Sequence, residues 1–170
     1  LEVELDYNIF ESQTADIGIA KTHQAVSAGA LQKSEGAVVF IPSDQEKLIP
    51  VVFINSAGFP TYAAKDLGLI ALKQELWPEM TKTIVFTAAE QNGHFKVINR
   101  VLHDIEPDLP TDFLTHVGHG YLSLTTGKMS SRTGEVLTAE EALDTVKLAV
   151  LEKMADRNIA DQAKQQIAEN

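Results

Sequence analysis

The segment Lys128-Met129-Ser130-Ser131-Arg132 carries two cations and two hydroxyl groups within five residues, and glycines stand close to it on both sides. A lysine ammonium is a mobile point charge, whereas an arginine guanidinium is a planar fork of hydrogen-bond donors. Flanking glycines let the backbone approach a ligand closely. This set of side chains suits the binding of a polyphosphate whose charge changes during a reaction. The alternative is an exposed basic hairpin without a ligand.

Two predicted elements position this segment. Thr138 and Glu141 have the Ser/Thr-x-x-Glu spacing of a capping box, which predicts that a helix begins after Thr138. Residues 113–118 are rich in apolar and β-favouring types and predict a short buried strand. Apolar residues recur at helical spacing after the cap and predict a core-facing side: Ala142, Leu143, Val146, Ala149, Val150 and Met154. The basic segment is therefore expected between a strand and a capped helix.

A second group of polar residues lies on another predicted helix. Thr61 can cap a helix that runs to Leu76 and ends before Pro78. Tyr62 and Asp66 are four residues apart, so the helix places them on one face. A hydroxyl and a carboxylate suit a cationic ligand, because guanidinium groups bind carboxylates strongly. The alternative is a pair on the helix surface, with Asp66 near the positive end of the helix dipole.

Four further polar residues lie within or after the predicted strands at 83–87 and 113–118. Gln91 has both an acceptor and a donor and can bind either end of a ligand, although it can also be an ordinary residue at a helix start. His94 could donate to a nucleotide oxygen, but a lone histidine there is more often structural. His116 and His119 are three residues apart with no third ligand at a suitable spacing, so no metal site is predicted.

The order of predicted elements indicates the fold class. After residue 60, helices alternate with strands at 83–87 and 113–118, which predicts a parallel sheet with right-handed crossovers. Residues 1–55 predict the order strand, helix, strand, strand, with the first strand at residues 1–7 and the others at 38–41 and 49–54. Ligands of parallel sheets bind at the carboxyl ends of strands. Gln91, His94 and the basic segment all follow strands.

Four segments in colinear order resemble one family. The basic segment, from Gly127 to Thr138, resembles the Lys-Met-Ser-Lys-Ser signature of class I aminoacyl-tRNA synthetases and is most similar to its arginyl-tRNA synthetase form. Residues 58–67 resemble that family's Gly-x-Pro-Thr-Tyr-x-x-Arg-Asp segment, with Lys65 where arginine is usual. Residues 89–95 are similar to its Ala-Asp-Gln-x-x-His-Phe segment. Residues 11–12 and 35–38 follow its insertion region in order.

The resemblance implies a role for each matching residue. The implied arginine-binding residues are Tyr62, Asp66 and Gln91. The implied ATP-binding residues are His94, His116, Val117, Gly118, Lys128 and Met129, and the implied catalytic residues are Lys128, Ser130, Ser131 and Arg132. Ser131 stands where the usual second signature lysine would be. Arg132 either compensates for that lysine or anchors the loop conformation.

The resemblance also implies an architecture and an activity. It implies an α/β fold, in which residues 1–55 are the C-terminal part of a connective insertion of α+β type. Residues 56–170 are then the second half of a Rossmann-like parallel sheet with the signature loop at 127–136. The implied function is part of an arginine–tRNA ligase that uses ATP with Mg²⁺, the ion being held mainly by phosphates and water. No protein-bound metal is predicted.

Composition limits the partners. The net charge of −10 argues against a large nucleic-acid surface, so tRNA(Arg) is expected to bind mainly through other regions, and DNA is not an expected partner. No cysteine is present, which excludes disulfides and thiolate-based sites. No apolar run approaches the roughly 18 residues of a membrane span. A cytoplasmic location and no membrane partner are expected.

The chain begins at Leu1, inside a predicted strand, and is therefore expected to be a piece of a longer protein. Because half of the ATP site would then be missing, the isolated chain is expected to be inactive. One alternative function is a non-catalytic arginine- or nucleotide-binding module derived from a synthetase, and another is a purely structural acidic interaction domain in which the signature loop is vestigial.

Overall fold

The computed structural model describes residues 4–120 and 138–169. The predicted signature loop at 127–136 lies outside the described residues, and so do Lys128, Met129, Ser130, Ser131 and Arg132. The chain divides into two compact units, Leu5–Tyr121 and Leu122–Asn170 with Leu1–Glu4. Each unit is described by itself.

The first unit contains three helices, two sheets and a short 3-10 turn within its described residues. In chain order they are α1 (Glu11–Ser27), β1 (Gln32–Ser34), β2 (Ala37–Phe40), β3 (Val51–Ile54), α2 (Tyr62–Leu76), β4 (Thr83–Ala88), the 3-10 turn (Ala89–Gln91), α3 (Asn92–Ile105) and β5 (Leu114–His119). The described part of the second unit contains α4 (Ala139–Lys153) and α5 (Asp161–Glu169). The predicted α/β class is confirmed.

The small antiparallel sheet has the order β1-β2-β3. Its first hairpin turns at Glu35 and Gly36, whose φ angles are 48° and 81°. Two consecutive residues with positive φ match the twist of a tight hairpin, and glycine adopts this conformation without steric cost. The sequence did not predict β1, because its residues are polar and show no alternation of apolar side chains.

The predicted strand at residues 1–7 is wrong for the residues that the structure describes, since residues 4–7 form no strand. Leu5 and Tyr7 are exposed, and the Tyr7 ring packs edge-on against Trp77 with 5.3 Å between ring centroids. Alternation of apolar residues indicates a strand only where a neighbouring strand is available for pairing.

The parallel pair β4–β5 is connected through α3, as the alternation of elements predicts. Thr83 pairs with Leu114 at one end and Ala88 pairs with His119 at the other. The carboxyl ends of both strands therefore lie side by side. The face of this pair that carries Ile84, Phe86 and Val117 is exposed.

Close backbone contact joins α1 to α2. A Cβ atom added at Gly18 would lie 2.2 Å from the Ala64 carbonyl oxygen, and one at Gly68 would lie 2.2 Å from the Thr14 carbonyl oxygen. Only glycine permits this approach at both positions. Helix α1, from the predicted insertion portion, thus packs on α2 from the predicted catalytic portion, and the boundary between residues 55 and 56 stays a prediction.

A single apolar cluster fills the first unit. It contains side chains from α2, α3, the β2–β3 hairpin and the start of β5, and the largest fully buried members include Phe53, Leu67, Ile98, Leu102 and Phe113. The cluster holds α2 and α3 against the sheets, and the first turns of these two helices carry the polar residues described below.

The capping box at the start of α4 is confirmed. The Thr138 hydroxyl accepts from the Glu141 backbone N–H at 3.2 Å, and the Glu141 carboxylate accepts from the Thr138 N–H at 2.8 Å. The predicted core face of α4 is wrong, because no residue of the helix is buried and Leu143 and Val146 are 52% and 61% exposed. Met154, just past the helix, is the buried member of the predicted set.

Candidate functional site

The start of α2 is anchored to the small sheet. The Thr61 hydroxyl accepts from the Ala63 N–H at 3.2 Å and donates to the Val52 carbonyl oxygen at 2.6 Å. The first turn of the helix therefore has a defined position relative to β3. It presents the exposed Tyr62 ring and the Asp66 carboxylate, whose side chain is 28% exposed.

The first turn of α3 lies opposite. After β4 the chain makes the 3-10 turn, and Gln91 is the exposed residue that precedes the helix. His94 follows on the first turn of α3, and its Nε2 lies 2.6 Å from Asp66 Oδ2. A carboxylate can only accept, so this nitrogen donates. His94, an expected ATP-binding residue, is in direct contact with an expected arginine-binding residue.

The two helix starts and the end of β4 line an open cavity of about 480 Å³. Its lining residues are Tyr62, Asp66, Thr87, Ala88, Gln91, His94 and Phe95. The three expected arginine-binding residues, which come from two separate motifs, are thus brought together. A carboxylate, a phenol and an amide around one cavity can bind a cationic planar group such as guanidinium.

The sequence reasoning did not single out Thr87, Ala88 or Phe95 as lining residues. Thr87 and Ala88 are the last residues of β4, and the rule that ligands bind at the carboxyl ends of parallel strands was the available signal. Phe95 is 8% exposed. Its place in the apolar pattern of α3 indicates a core residue and gives no sign of a ring at the edge of a cavity.

A second group of side chains connects β4 to β5. His116 Nε2 lies 2.8 Å from Thr87 Oγ1, and His116 Nδ1 lies 2.8 Å from Asn92 Oδ1. The ring also stacks on Phe95 at 4.6 Å and 15°. The His116 side chain is therefore occupied by protein partners.

Val117 and Gly118 lie at the exposed end of β5. A Cβ atom added at Gly118 would lie 2.8 Å from Ala89 Cα. Glycine therefore allows the end of β5 to approach the 3-10 turn. This leaves backbone groups of residues 116–118 beside the polar end of β4, where the family resemblance implies contacts with ATP.

Phe95 connects the two groups of side chains. Its ring meets the His94 ring edge-on, with centroids 5.1 Å apart at 86°, and its face stacks on His116. Asp66, His94, Phe95 and His116 thus form a continuous series of contacts from α2 to β5.

Within residues 4–120 and 138–169, no three histidine or acidic side chains converge in a way that would hold a metal ion. Among the helices of these ranges, none combines the length and apolar character needed to cross a membrane.

A parallel strand pair with its crossover helix defines the first unit as an α/β protein, the class in which ligands bind at the carboxyl ends of the strands. Comparison with family models gives the particular family. The model described as "tRNA synthetases class I (R), catalytic domain" matches residues 14–170, and the chain belongs to this family.

Known relatives of the chain are named as arginine–tRNA ligases. The chain is 29% identical over 154 residues to an arginine–tRNA ligase of Treponema denticola, covering 91% of this chain and 26% of the relative. It is 30% identical over 145 residues to that of Amoebophilus asiaticus, covering 85% of this chain and 24% of the relative. The chain therefore spans about a quarter of the length of these relatives.

Solved structures support the fold. Thermus thermophilus arginyl-tRNA synthetase superposes with a TM-score of 0.64 at 16% identity, over 92% of this chain and 32% of that one. The Plasmodium falciparum enzyme superposes with a TM-score of 0.61 at 20% identity, over 99% and 28% of the two chains. At identities of 16% and 20%, these superpositions show the fold of the chain and nothing about its function.

Proposed function

We propose that this chain supplies the arginine pocket and part of the ATP site of an arginine–tRNA ligase. The observation that carries the proposal is the convergence of Tyr62, Asp66 and Gln91 around one cavity in a chain of this family. The proposal includes residues 1–55 as part of the connective insertion and residues 56–170 as the second half of the catalytic fold.

In the proposed pocket, the Asp66 carboxylate binds the guanidinium of arginine. The Tyr62 hydroxyl and the Gln91 amide provide further hydrogen bonds to either end of the amino acid. A hydrogen bond to a charged group typically contributes about 1.5–3 kcal/mol. Loss of the Asp66 charge should therefore weaken arginine binding by roughly 10- to 100-fold.

The proposed reaction is the activation of arginine. A carboxylate oxygen of arginine forms a bond to the α-phosphorus of ATP, the bond from that phosphorus to the bridging oxygen breaks, and pyrophosphate leaves. Backbone groups of residues 116–118 bind ATP in this proposal. Lys128, Ser130, Ser131 and Arg132 stabilise the charge that develops on the phosphates, and Mg²⁺ arrives with ATP.

The remaining steps belong to the whole ligase. Transfer of arginine to tRNA(Arg) is proposed to depend mainly on tRNA contacts outside this acidic chain. Family membership is also the basis for proposing a cytoplasmic protein.

Calorimetric titration of the chain with arginine tests the pocket. We expect wild-type binding, with Asp66→Asn weakening it roughly 10- to 100-fold as estimated from charged hydrogen bonds. The matched control is Asp16→Asn, which removes a carboxylate from the exposed surface of α1 and should leave binding unchanged. Citrulline, the neutral analogue of arginine, should bind weakly to wild type. Equal binding by the two variants would contradict the assignment of Asp66.

Turnover is tested separately. Arginine-dependent ATP–pyrophosphate exchange in the presence of tRNA(Arg) is expected for the whole ligase and not for the 170-residue chain alone. Lys128→Ala in the whole ligase should lower the exchange rate while arginine binding persists. Arginine binding without exchange in the whole protein would instead support a non-catalytic binding module.

A further inference from the structure

We propose that His94 is a positioning residue that sets the orientation of the Asp66 carboxylate and thereby favours arginine over lysine. The inference rests on the proposed arginine pocket. Its observation is the 2.6 Å contact between His94 Nε2 and Asp66 Oδ2, two lining residues of the cavity that belong to the start of α3 and the start of α2.

Both side chains of this contact are partly buried. The His94 and Asp66 side chains are 18% and 28% exposed. His94 Nε2 donates a hydrogen bond to Asp66 Oδ2, so Oδ1 is the carboxylate oxygen that remains for a ligand. Within the part of the chain that the structure describes, no other side chain hydrogen-bonds to Asp66.

The His94 ring is itself held in place by a series of aromatic contacts. The His94 ring lies edge-on to Phe95, and Phe95 stacks on His116. His116 is in turn held by Thr87 and Asn92. The donor to Asp66 is therefore oriented by α3, β4 and β5, while the carboxylate comes from α2.

A fixed carboxylate has a consequence for specificity. The terminal torsion of an aspartate is broad, so an unrestrained carboxylate samples many orientations. Guanidinium is planar with its donors in a rigid fork, whereas the lysine ammonium is a compact charge whose donors rotate. Loss of the restraint from His94 should therefore weaken arginine binding more than lysine binding.

Three substitutions of His94 separate the Nε2 donor from other effects of the ring. His94→Gln keeps an amide donor close to the position of Nε2, His94→Asn has a donor that reaches only about as far as Nδ1, and His94→Ala has none. By the usual size of a charged hydrogen bond, arginine should bind roughly tenfold more weakly to the Asn and Ala variants and within about threefold of wild type to the Gln variant. Binding of lysine, measured in the same titrations, should change by less than about threefold.

A double-mutant cycle tests whether His94 acts through Asp66. In an Asp66→Ala background, which removes the acceptor for His94 Nε2, His94→Ala should cause no further loss of arginine affinity. An undiminished loss would overturn the inference, and so would equal arginine binding by wild type and His94→Ala. A His94→Gln variant as weak as His94→Ala would also overturn it.

The outcomes distinguish this inference from the proposed function. Absence of arginine binding by the wild-type chain, or no effect of Asp66→Asn, would refute the arginine pocket itself. The His94 contact is also tested without arginine, by the ring ¹⁵N chemical shifts of the free chain. We expect the His94 ring shifts of wild type to change in Asp66→Ala, which removes the acceptor of the Nε2 proton. Identical ring spectra would overturn the positioning role.

Discussion

Helices α2 and α4 have the same length of 15 residues, and both begin after a capping threonine. Helix α2 buries Ala63, Ala64, Leu67, Gly68 and Ile70, whereas α4 buries no residue along its length. Both helices carry apolar residues at helical spacing. A cap and a periodic pattern therefore specify a helix, while burial requires a complementary surface in the tertiary structure.

The caps of the two helices also differ in whether they contact residues outside their own helix. Thr61 caps α2 and also donates to the Val52 carbonyl oxygen of β3, nine residues earlier. Thr138 exchanges hydrogen bonds with Glu141, three residues later. The start of α2 is thus joined to the rest of its unit, and the start of α4 is stabilised by its own first turn.

The largest expected difference between the two helices is in the free energy of unfolding lost when a leucine of each is truncated. Leu67 of α2 is 1% exposed and Leu148 of α4 is 66% exposed. Leu67→Ala should lower the free energy of unfolding by about 2–5 kcal/mol, because it leaves a cavity in a packed core. Leu148→Ala should change it by no more than about 0.5 kcal/mol. Urea unfolding measures both, and equal losses would remove the distinction between the helices.

The glycine contact between α1 and α2 gives the next largest effect. Gly68→Ala forces a methyl group against the Thr14 carbonyl oxygen and should cost about 1–3 kcal/mol or more. Gly93→Ala in α3 is the matched control, since its added Cβ would lie 3.3 Å from the movable Ile49 Cδ1. There the higher helix propensity of alanine, worth up to about 1 kcal/mol, offsets the tighter contact. In thermal unfolding, the Gly93→Ala variant should therefore have a clearly higher melting temperature than the Gly68→Ala variant.

Removal of the two caps should also affect the two helices differently. Thr61→Ala should cost about 1–2 kcal/mol of global stability, because it removes a cap and a contact to β3. Thr138→Ala should cost about 0.5–1 kcal/mol and act on α4 alone. Amide hydrogen exchange resolves the difference. We expect faster exchange across the unit of α2 in the first variant and only within residues 139–153 in the second.

The smallest effect is a dependence of α4 on pH. Hydrogen bonds from the backbone N–H and then the side chain of Thr138 hold the pKa of Glu141 below its ordinary value. A lowered folded-state pKa means that this contribution is present above the unfolded pKa and is lost as pH falls through the folded-state value. Amide exchange in the first turn of α4 should therefore accelerate in that acidic range. Glu141→Gln should lack this component, and an identical profile would contradict the role of the carboxylate.

Local signals predicted a large part of the fold. Thr61 before an apolar periodic segment predicted α2, the Thr138–Glu141 spacing predicted the cap of α4, and apolar runs predicted β4 and β5. These features depend on residues within one or two turns, so they can be recognised without a tertiary structure. The polar strand β1 and the absence of a strand at residues 4–7 depend on pairing partners, which composition does not identify.

The sequence alone determined the candidate residues and the family, because motif spacing survives where overall identity is near 30%. Tyr62, Asp66 and Gln91 were assigned to one ligand from their segments. Only the tertiary structure decided that His94 contacts Asp66, 28 positions away, and that His116 is held by Thr87, 29 positions away. Hydrogen bonds between distant segments require the helix packing and strand register that bring their donors and acceptors within about 3 Å.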